Sequence, residues 1–326
     1  LKFVQNERQT YYTNRCKARD SPAKHVTITI DGADQADFHL PHYAETDKLE
    51  SSCFKLKTHV VGALIHGRPP LVFISGNQCK QGHNVTIQAF WECLVELHLS
   101  PTGIPPNITI QLDNTVRQNK GKYLIAFCEI LVARKVCETI TINFLPVGHT
   151  HEDIDQFCSR IAQRLRMHDA LSLPALAEVI RSSYKTKEGH RPIVREWDSL
   201  ANISNWLQNM GVDKFPNVTK YRCFRITADI YGTPKVEVRN QMADGAANDE
   251  FRGPRDDELD YPEPSYSCWA KMGGRVPDIL NTAVPDAQRT EPLIDRTDKY
   301  ETGMERLEKL PALMYPDKDK AGNRAL

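Results

Sequence analysis

The chain has 326 residues, 40% of them hydrophobic and 26% charged, and its formal net charge is zero. That length supports one large domain with an accessory region and a real core. No apolar run approaches the length of a bilayer-crossing helix, which excludes a helical membrane span, and the chain opens on Leu1 rather than Met, as a fragment of a longer protein would. The nine cysteines, from Cys16 to Cys268, are scattered without a C-x-x-C pair and fall largely in apolar stretches, so the expectation is buried free thiols in a reducing compartment and no zinc finger.

In chain order, Phe3 to Ala18 is polar with a helical character and ends at the Ser21-Pro22 break. His25 to Ile30 is rich in β-branched residues and stops at Asp31-Gly32, the signature of a strand with a turn behind it. Two further strands, His59 to Ile65 and Leu71 to Ile74, flank Gly67-Arg68-Pro69-Pro70 as a hairpin. Helical spacing of Ile87, Phe90, Trp91, Leu94, Val95 and Leu97 predicts a helix over 85–99, closed by Ser100-Pro101 and Gly103. Ile108 to Leu112 alternates and ends at Asp113-Asn114, Lys122 to Val136 reads as an apolar helix, Thr139 to Val147 as a strand, and a third helix runs through Leu165. Strands joined by helical crossovers must pair in parallel, whereas the early meander is antiparallel, so the expected architecture is α/β, a mixed five-stranded sheet with flanking helices.

Beyond that core, a helix is expected over Leu173 to Tyr184, Trp197 and Trp206 lie in a helical pattern, and Tyr221 to Ile230 with Pro234 to Val238 reads as a hairpin around Gly232-Thr233. The segment Asp244 to Glu263 reads as an acidic loop, and after Ala283 only Tyr300 to Leu310 suggests a helix. The organisation expected is an N-terminal helical extension over 1–24, a catalytic domain over 25–170, a C-terminal α+β region over 171–282 and a poorly ordered tail over 283–326.

The densest chemistry lies in Gly148-His149-Thr150-His151-Glu152-Asp153-Ile154-Asp155, two histidines and three acids between a strand and a helix. Together with Asp31 and Asp113 it puts acids at three element ends, where metal-dependent chemistry is commonly placed. The order of elements resembles the ribonuclease H-like fold of retroviral integrases and cut-and-paste transposases over residues 25–170. More specifically, Ile30 to Gln35, Leu112 to Lys120 and Gly148 to Phe157 resemble an uncharacterised transposon-derived domain family spread through eukaryotic genomes. The Asp113-Asn114 pair resembles the second catalytic position of integrases, where Gly usually follows; here Thr115 does.

The resemblance implies DNA cleavage and strand transfer in the nucleus. Two Mg2+ or Mn2+ ions held by carboxylates would activate the attacking oxygen and stabilise the leaving one. Transposon ends and target DNA would be the partners and a homo-oligomer the acting form. Asp31 would bridge the ions, Asp113 would hold one, and a helix residue would complete the set. On the helix with apolar face Ile154, Phe157, Ile161 and Leu165, Asp155 lies on the flank and ranks first. Glu152 follows, because many transposases use glutamate there, and Asp153, expected to face solvent, comes last. His149 or His151 would order a water or contact phosphate.

Other readings stay open on the same residues. Asp31-Gly32 is also a common turn dipeptide, and Thr150 to Asp153 fits a capping box with acids complementing the helix dipole. His149-x-His151-x-Asp153 matches the start of H-x-H-x-D-H, the zinc motif of metallo-β-lactamase-like hydrolases, with Ile154 in place of the last histidine. A transposase relic kept as a DNA- or protein-binding scaffold without catalysis is the other class of function. The basic stretch from Arg160 to Arg195 either tracks a phosphate backbone or forms a solvated helix face.

Overall fold

The structure is a computed structural model that describes residues 2–33, 35–45, 54–115, 119–144, 152–186, 189–240 and 267–268. In chain order the elements are α1 (Lys2–Asp20), β1 (His25–Gly32), β2 (Thr58–Ile65), β3 (Leu71–Gly76), α2 (His83–His98), β4 (Asn107–Leu112), α3 (Lys122–Ala133), β5 (Thr139–Phe144), α4 (Glu152–Leu165), α5 (Leu173–Ser183), β6 (Ile193–Trp197), α6 (Ile203–Asn209), β7 (Cys223–Ala228) and β8 (Pro234–Arg239). The expected acidic loop and the segment after Ala283 lie outside the described residues.

All eight strands form one mixed sheet in the order β6-β3-β2-β1-β4-β5-β7-β8. The meander β1-β2-β3 pairs antiparallel, and β1, β4 and β5 pair in parallel through helical crossovers. The sheet is wider than the five strands expected, because the residues after 170 extend it on both edges. β6 joins β3 in parallel, while β7 pairs antiparallel with β5 and carries β8 in the expected hairpin. Trp197 is therefore not helical: it closes β6, its ring stacked on Phe73 at 4.6 Å. The five residues Ile193-Val194-Arg195-Glu196-Trp197 alternate too briefly, with two charges among them, to stand out from a basic stretch.

Alternate residues of each strand face opposite layers. On one face, Ile28, Ile110 and Ile142 pack beneath α2 and α3 with Phe90, Phe127 and Trp91, all within one apolar cluster. The other face is divided. Over β2, β3 and β6 the residues Val60, Val72, Ile74 and Val194 pack against Phe157 and Ile161 of α4 and Leu176 and Ile180 of α5. Over β1 lies α1, where Thr27 donates its hydroxyl to the Asn14 carbonyl at 3.2 Å. Helix α5 starts where Ser172 caps it, accepting from Ala175 N at 3.4 Å, with Pro174 in the first turn where its missing N–H is harmless.

Of the eight described cysteines, six are buried as expected; Cys16 is exposed and Cys158 half-buried. No helix among the described residues is long and apolar enough to cross a membrane.

Candidate active site

Strands β1 and β4 run side by side, with the pairs Val26↔Ile108, Ile28↔Ile110 and Thr29↔Gln111 setting the register. Two residues beyond the last pair, Asp31 and Asp113 fall opposite one another at the carboxyl ends of adjacent parallel strands. Neighbouring strands lie about 4.8 Å apart, so the two side chains start from neighbouring points. This is the placement expected from their positions behind two β-rich runs.

Asp31 is the half-buried member and lies opposite Gly62 of β2. Its Oδ1 accepts from Gly32 N at 2.9 Å. Burial, reinforced by the negative charges of Asp113 and then Asp155, pushes its carboxyl up to about 7. The charge of Asp31 also adds to that of burial in raising the Cys158 thiol, one turn beyond Asp155 on α4. Asp31, Asp113 and Asp155 therefore share one electrostatic neighbourhood.

Asp113 is held more tightly. Its Oδ2 accepts from the Thr115 hydroxyl and its Oδ1 from Asn119 Nδ2, with Thr115 N a further donor at 3.4 Å. Asn119 is fixed in turn by Thr86 of α2, whose hydroxyl donates to its Oδ1 at 2.5 Å. Next to it Lys120, only 2% exposed, donates Nζ to Asn114 Oδ1 at 3.0 Å and to the Thr219 carbonyl at 2.8 Å, with the ammonium 5.4 Å from the Phe144 ring centre. Burial, and then the nearby Arg222 charge, lowers its pKa to about 8. Sequence reasoning did not assign roles to Thr86, Asn119 and Lys120; the signal available was the concentration of Asn, Thr and Lys directly behind a strand-ending Asp.

Helix α4 brings the third acid. Ile154, Phe157, Ile161 and Leu165 are all buried, which confirms the helical phase read from their spacing. The helix can descend onto the sheet because Gly62 has no side chain: a Cβ there would meet Ile154 Cδ1 at 3.2 Å and Phe157 Cδ1 at 3.7 Å. Asp155 leaves the exposed flank of α4, and partial burial raises its carboxyl above the ordinary range.

Asp153 departs from expectation. It does not face solvent; its Oδ2 accepts from Arg15 Nη1 at 2.6 Å and from the Tyr11 hydroxyl at 3.0 Å, tying α4 to α1. Periodicity within α4 says nothing of α1, more than a hundred residues earlier, so this partner was invisible in the local pattern. His149, His151 and the side chain of Glu152 lie outside the described residues. Among the described residues no three His, Cys, Asp or Glu side chains stand close enough together to hold a metal ion. The carboxylates sense one another's charge without meeting, as like charges do when Asp113 is turned toward Thr115 and Asn119.

Much of the basic stretch is spent on packing. Arg195 pairs with Glu92 and Glu96 of α2, Arg181 with Glu178, Arg164 donates to Ser182 Oγ at 3.3 Å, and Arg160 lies over the Tyr184 ring. Arg166, Lys185 and Arg191 are exposed.

No curated protein and no solved structure matches the chain. Residues 48–244, more than half of the chain, match the family described as a domain of unknown function, DUF7869. The matched range runs from before β2 to the end of β8 and contains Asp113 and Asp155, while α1, β1 and Asp31 precede it. Seven of the eight described strands lie within that range, and the chain belongs to the DUF7869 family.

Proposed function

We propose that this domain is a transposase- or integrase-like nuclease that cleaves and rejoins phosphodiester bonds in DNA, with Asp31, Asp113 and Asp155 holding two Mg2+ or Mn2+ ions. The observation that carries this reading is the register of β1 and β4, which places Asp31 and Asp113 together at the carboxyl ends of parallel central strands. Asp155 approaches from α4 closely enough for its charge to act on Asp31.

The residues fit the ions by their chemistry. Three carboxylates are the hard oxygen donors that Mg2+ and Mn2+ take, and a carboxyl raised to about 7 by burial and then by its acidic neighbours is one that a nearby cation would return to the charged state. When bound, such ions supply activation of the attacking oxygen and stabilisation of the leaving oxygen. The chain's own residues prepare the place. Thr115 and Asn119 aim Asp113, Lys120 holds Asn114 beside it, and Gly62 lets Ile154 and Phe157 of α4 come down over β2, opposite Asp31.

Thermal melting with and without Mn2+, alongside a Mg2+-dependent nicking assay, tests the reading. Asp31→Asn and Asp113→Asn should keep the fold and lose the Mn2+-induced shift, and Asp155→Ala should abolish nicking. A wild-type Mn2+ shift that survives in both Asn variants would place the cations elsewhere and end it.

A second reading, a scaffold that binds DNA or protein without catalysis, is favoured by the finding that no three potential ligands among the described residues stand close enough to hold an ion. Oligonucleotide binding that persists in EDTA, with neither a Mn2+ shift nor nicking in the wild type, would select it. The zinc-hydrolase reading is not carried further, because Asp153, which it needs as a ligand, is engaged by Arg15 and Tyr11.

A further inference from the structure

Outside the carboxylate site the molecule contains a second charged cluster, built from α1, the end of β2 and the first turn of α4. Tyr11, 5% exposed, donates its hydroxyl to Asp153 Oδ2 and lies 3.4 Å from His66 Nε2, with its ring edge-on to the imidazole at 6.1 Å. Arg15, one helical turn after Tyr11 and on the same face of α1, reaches the same Asp153 oxygen at 2.6 Å. Two donors from one helix thus converge on one carboxylate of another.

The position of Asp153 gives this contact its meaning. Ile154 is fully buried and points down onto Gly62, directly opposite Asp31 across the β1-β2 pair. Residues on either side of it leave the helix about 200° apart, on opposite flanks. Asp153 goes toward His66 and α1, and Asp155 goes the other way, where its charge reaches Asp31. The apolar contacts of Ile154, Phe157 and Ile161 hold α4 against the sheet, and the contact to Asp153 adds a directional tie on one flank. A roll of about 15° would carry a carboxylate about 6 Å from the axis through about 1.5 Å, enough to lose a site that depends on placement. An ion pair on one flank fixes the roll and therefore the direction of the other flank.

We propose that Tyr11 and Arg15, acting through Asp153, are positioning residues: α1 sets the roll of α4 and so places Asp155 over Asp31. The proposal rests on the metal-site reading given above. It makes the N-terminal helix, which precedes the DUF7869 range, a working part of the site rather than an appendage.

Two measurements on the full chain test it. Hydrogen exchange of the α4 amides over residues 152–158 reads the latch itself, and Mn2+ titration followed by electron paramagnetic resonance reads the site. The variants are Arg15→Gln and Tyr11→Phe, with Arg15→Lys as the conservative rescue. Each loss variant should speed exchange in this segment by about tenfold, as expected when one charge-assisted hydrogen bond is lost. Each should also weaken Mn2+ binding by about tenfold, as mutations behind a metal ligand do. Arg15→Lys should stay near wild type in both, and Tyr11→Phe retains the buried ring if Arg15→Gln fails to fold. Unchanged exchange in both loss variants overturns the latch. Faster exchange with wild-type Mn2+ affinity overturns the positioning role and leaves a purely structural contact. If wild-type protein shows no Mn2+ binding sensitive to Asp31→Asn, the metal-site reading fails and the positioning role falls with it, whereas intact wild-type binding unaffected by the variants sinks the positioning role alone.

Discussion

Over β1, β4, β5 and β7 the two faces of the central sheet are made by alternate residues of the same strands and have opposite characters, whereas over β2, β3 and β6 both faces are apolar. Beneath α2 and α3, Ile28, Ile110, Ile142, Phe224 and Val238 are all fully buried and apolar. On the reverse of the same strands, Thr27, Thr29, Gln111, Asn143 and the thiol of Cys223 are buried too. Gln111 donates to the Asn143 carbonyl at 3.1 Å, and Cys223 to Asn143 Oδ1 at 2.9 Å. Central parallel strands are ordinarily hydrophobic on both sides, so the buried Gln111, Asn143 and Cys223 need the hydrogen bonds they make to one another. At the carboxyl end of β1 and β4 that polar stripe runs directly into Asp31 and Asp113.

The largest effect should come from breaking the apolar face. Phe127 is 1% exposed and its ring meets that of Phe90 edge-on at 6.4 Å, so Phe127→Ala should destabilise the protein. A cost of about 3–5 kcal/mol in denaturant melts is expected for such a cavity, with Mn2+ affinity unchanged in the protein that remains folded. A cost below about 1 kcal/mol would mean that the apolar face is not where stability resides.

The polar face should instead respond to pH. Burial, the largest cause, lowers the His66 pKa from 6.5 to about 4, so the folded protein refuses a proton that the unfolded chain accepts. The sign follows: stability is lost as pH falls from 6.5 through 4. The loss relative to His66→Gln should reach up to about 3 kcal/mol, measured by urea melts across that window. A constant gap between the two proteins would refute it.

Asp31 has the opposite sense. Its carboxyl is raised from 3.8 to about 7, so the folded state keeps a proton that the unfolded chain releases, and stability drops as pH rises through that range. Asp31→Asn should therefore stabilise the protein in EDTA at pH 8 by about 2 kcal/mol, a figure discounted for solvent at the half-buried carboxyl, with the gain vanishing near pH 3. Destabilisation by the same substitution would show that Asp31 is a turn residue serving Gly32.

The smallest change sharpens the boundary between the two regions. Gly62→Ala places a methyl 3.2 Å from Ile154 Cδ1, so α4 must lift by a few tenths of an ångström. Melting should register about 1 kcal/mol. Mn2+ affinity should fall by more than that loss implies, because the lift moves Asp155; equal affinity would uncouple α4 from the site.

The alternation of Val26, Ile28 and Ile30, the helical recurrence of Ile154, Phe157, Ile161 and Leu165, and the acids behind two strands were all legible in the chain, because period and punctuation are local properties. They determined the mixed α/β architecture, the phase of α4 and the candidacy of Asp31 and Asp113. Only the tertiary structure decided that residues 193–239 extend the same sheet at both edges, since strand neighbours chosen across long separations leave little trace in a five-residue alternation. It alone assigned Thr86 and Asn119 to Asp113, and it turned Asp153 from solvent toward Tyr11 and Arg15. Those partners lie between 6 and 142 residues apart in sequence, and a side chain's partner is set by which surfaces pack together, not by the spacing of the residues along the chain.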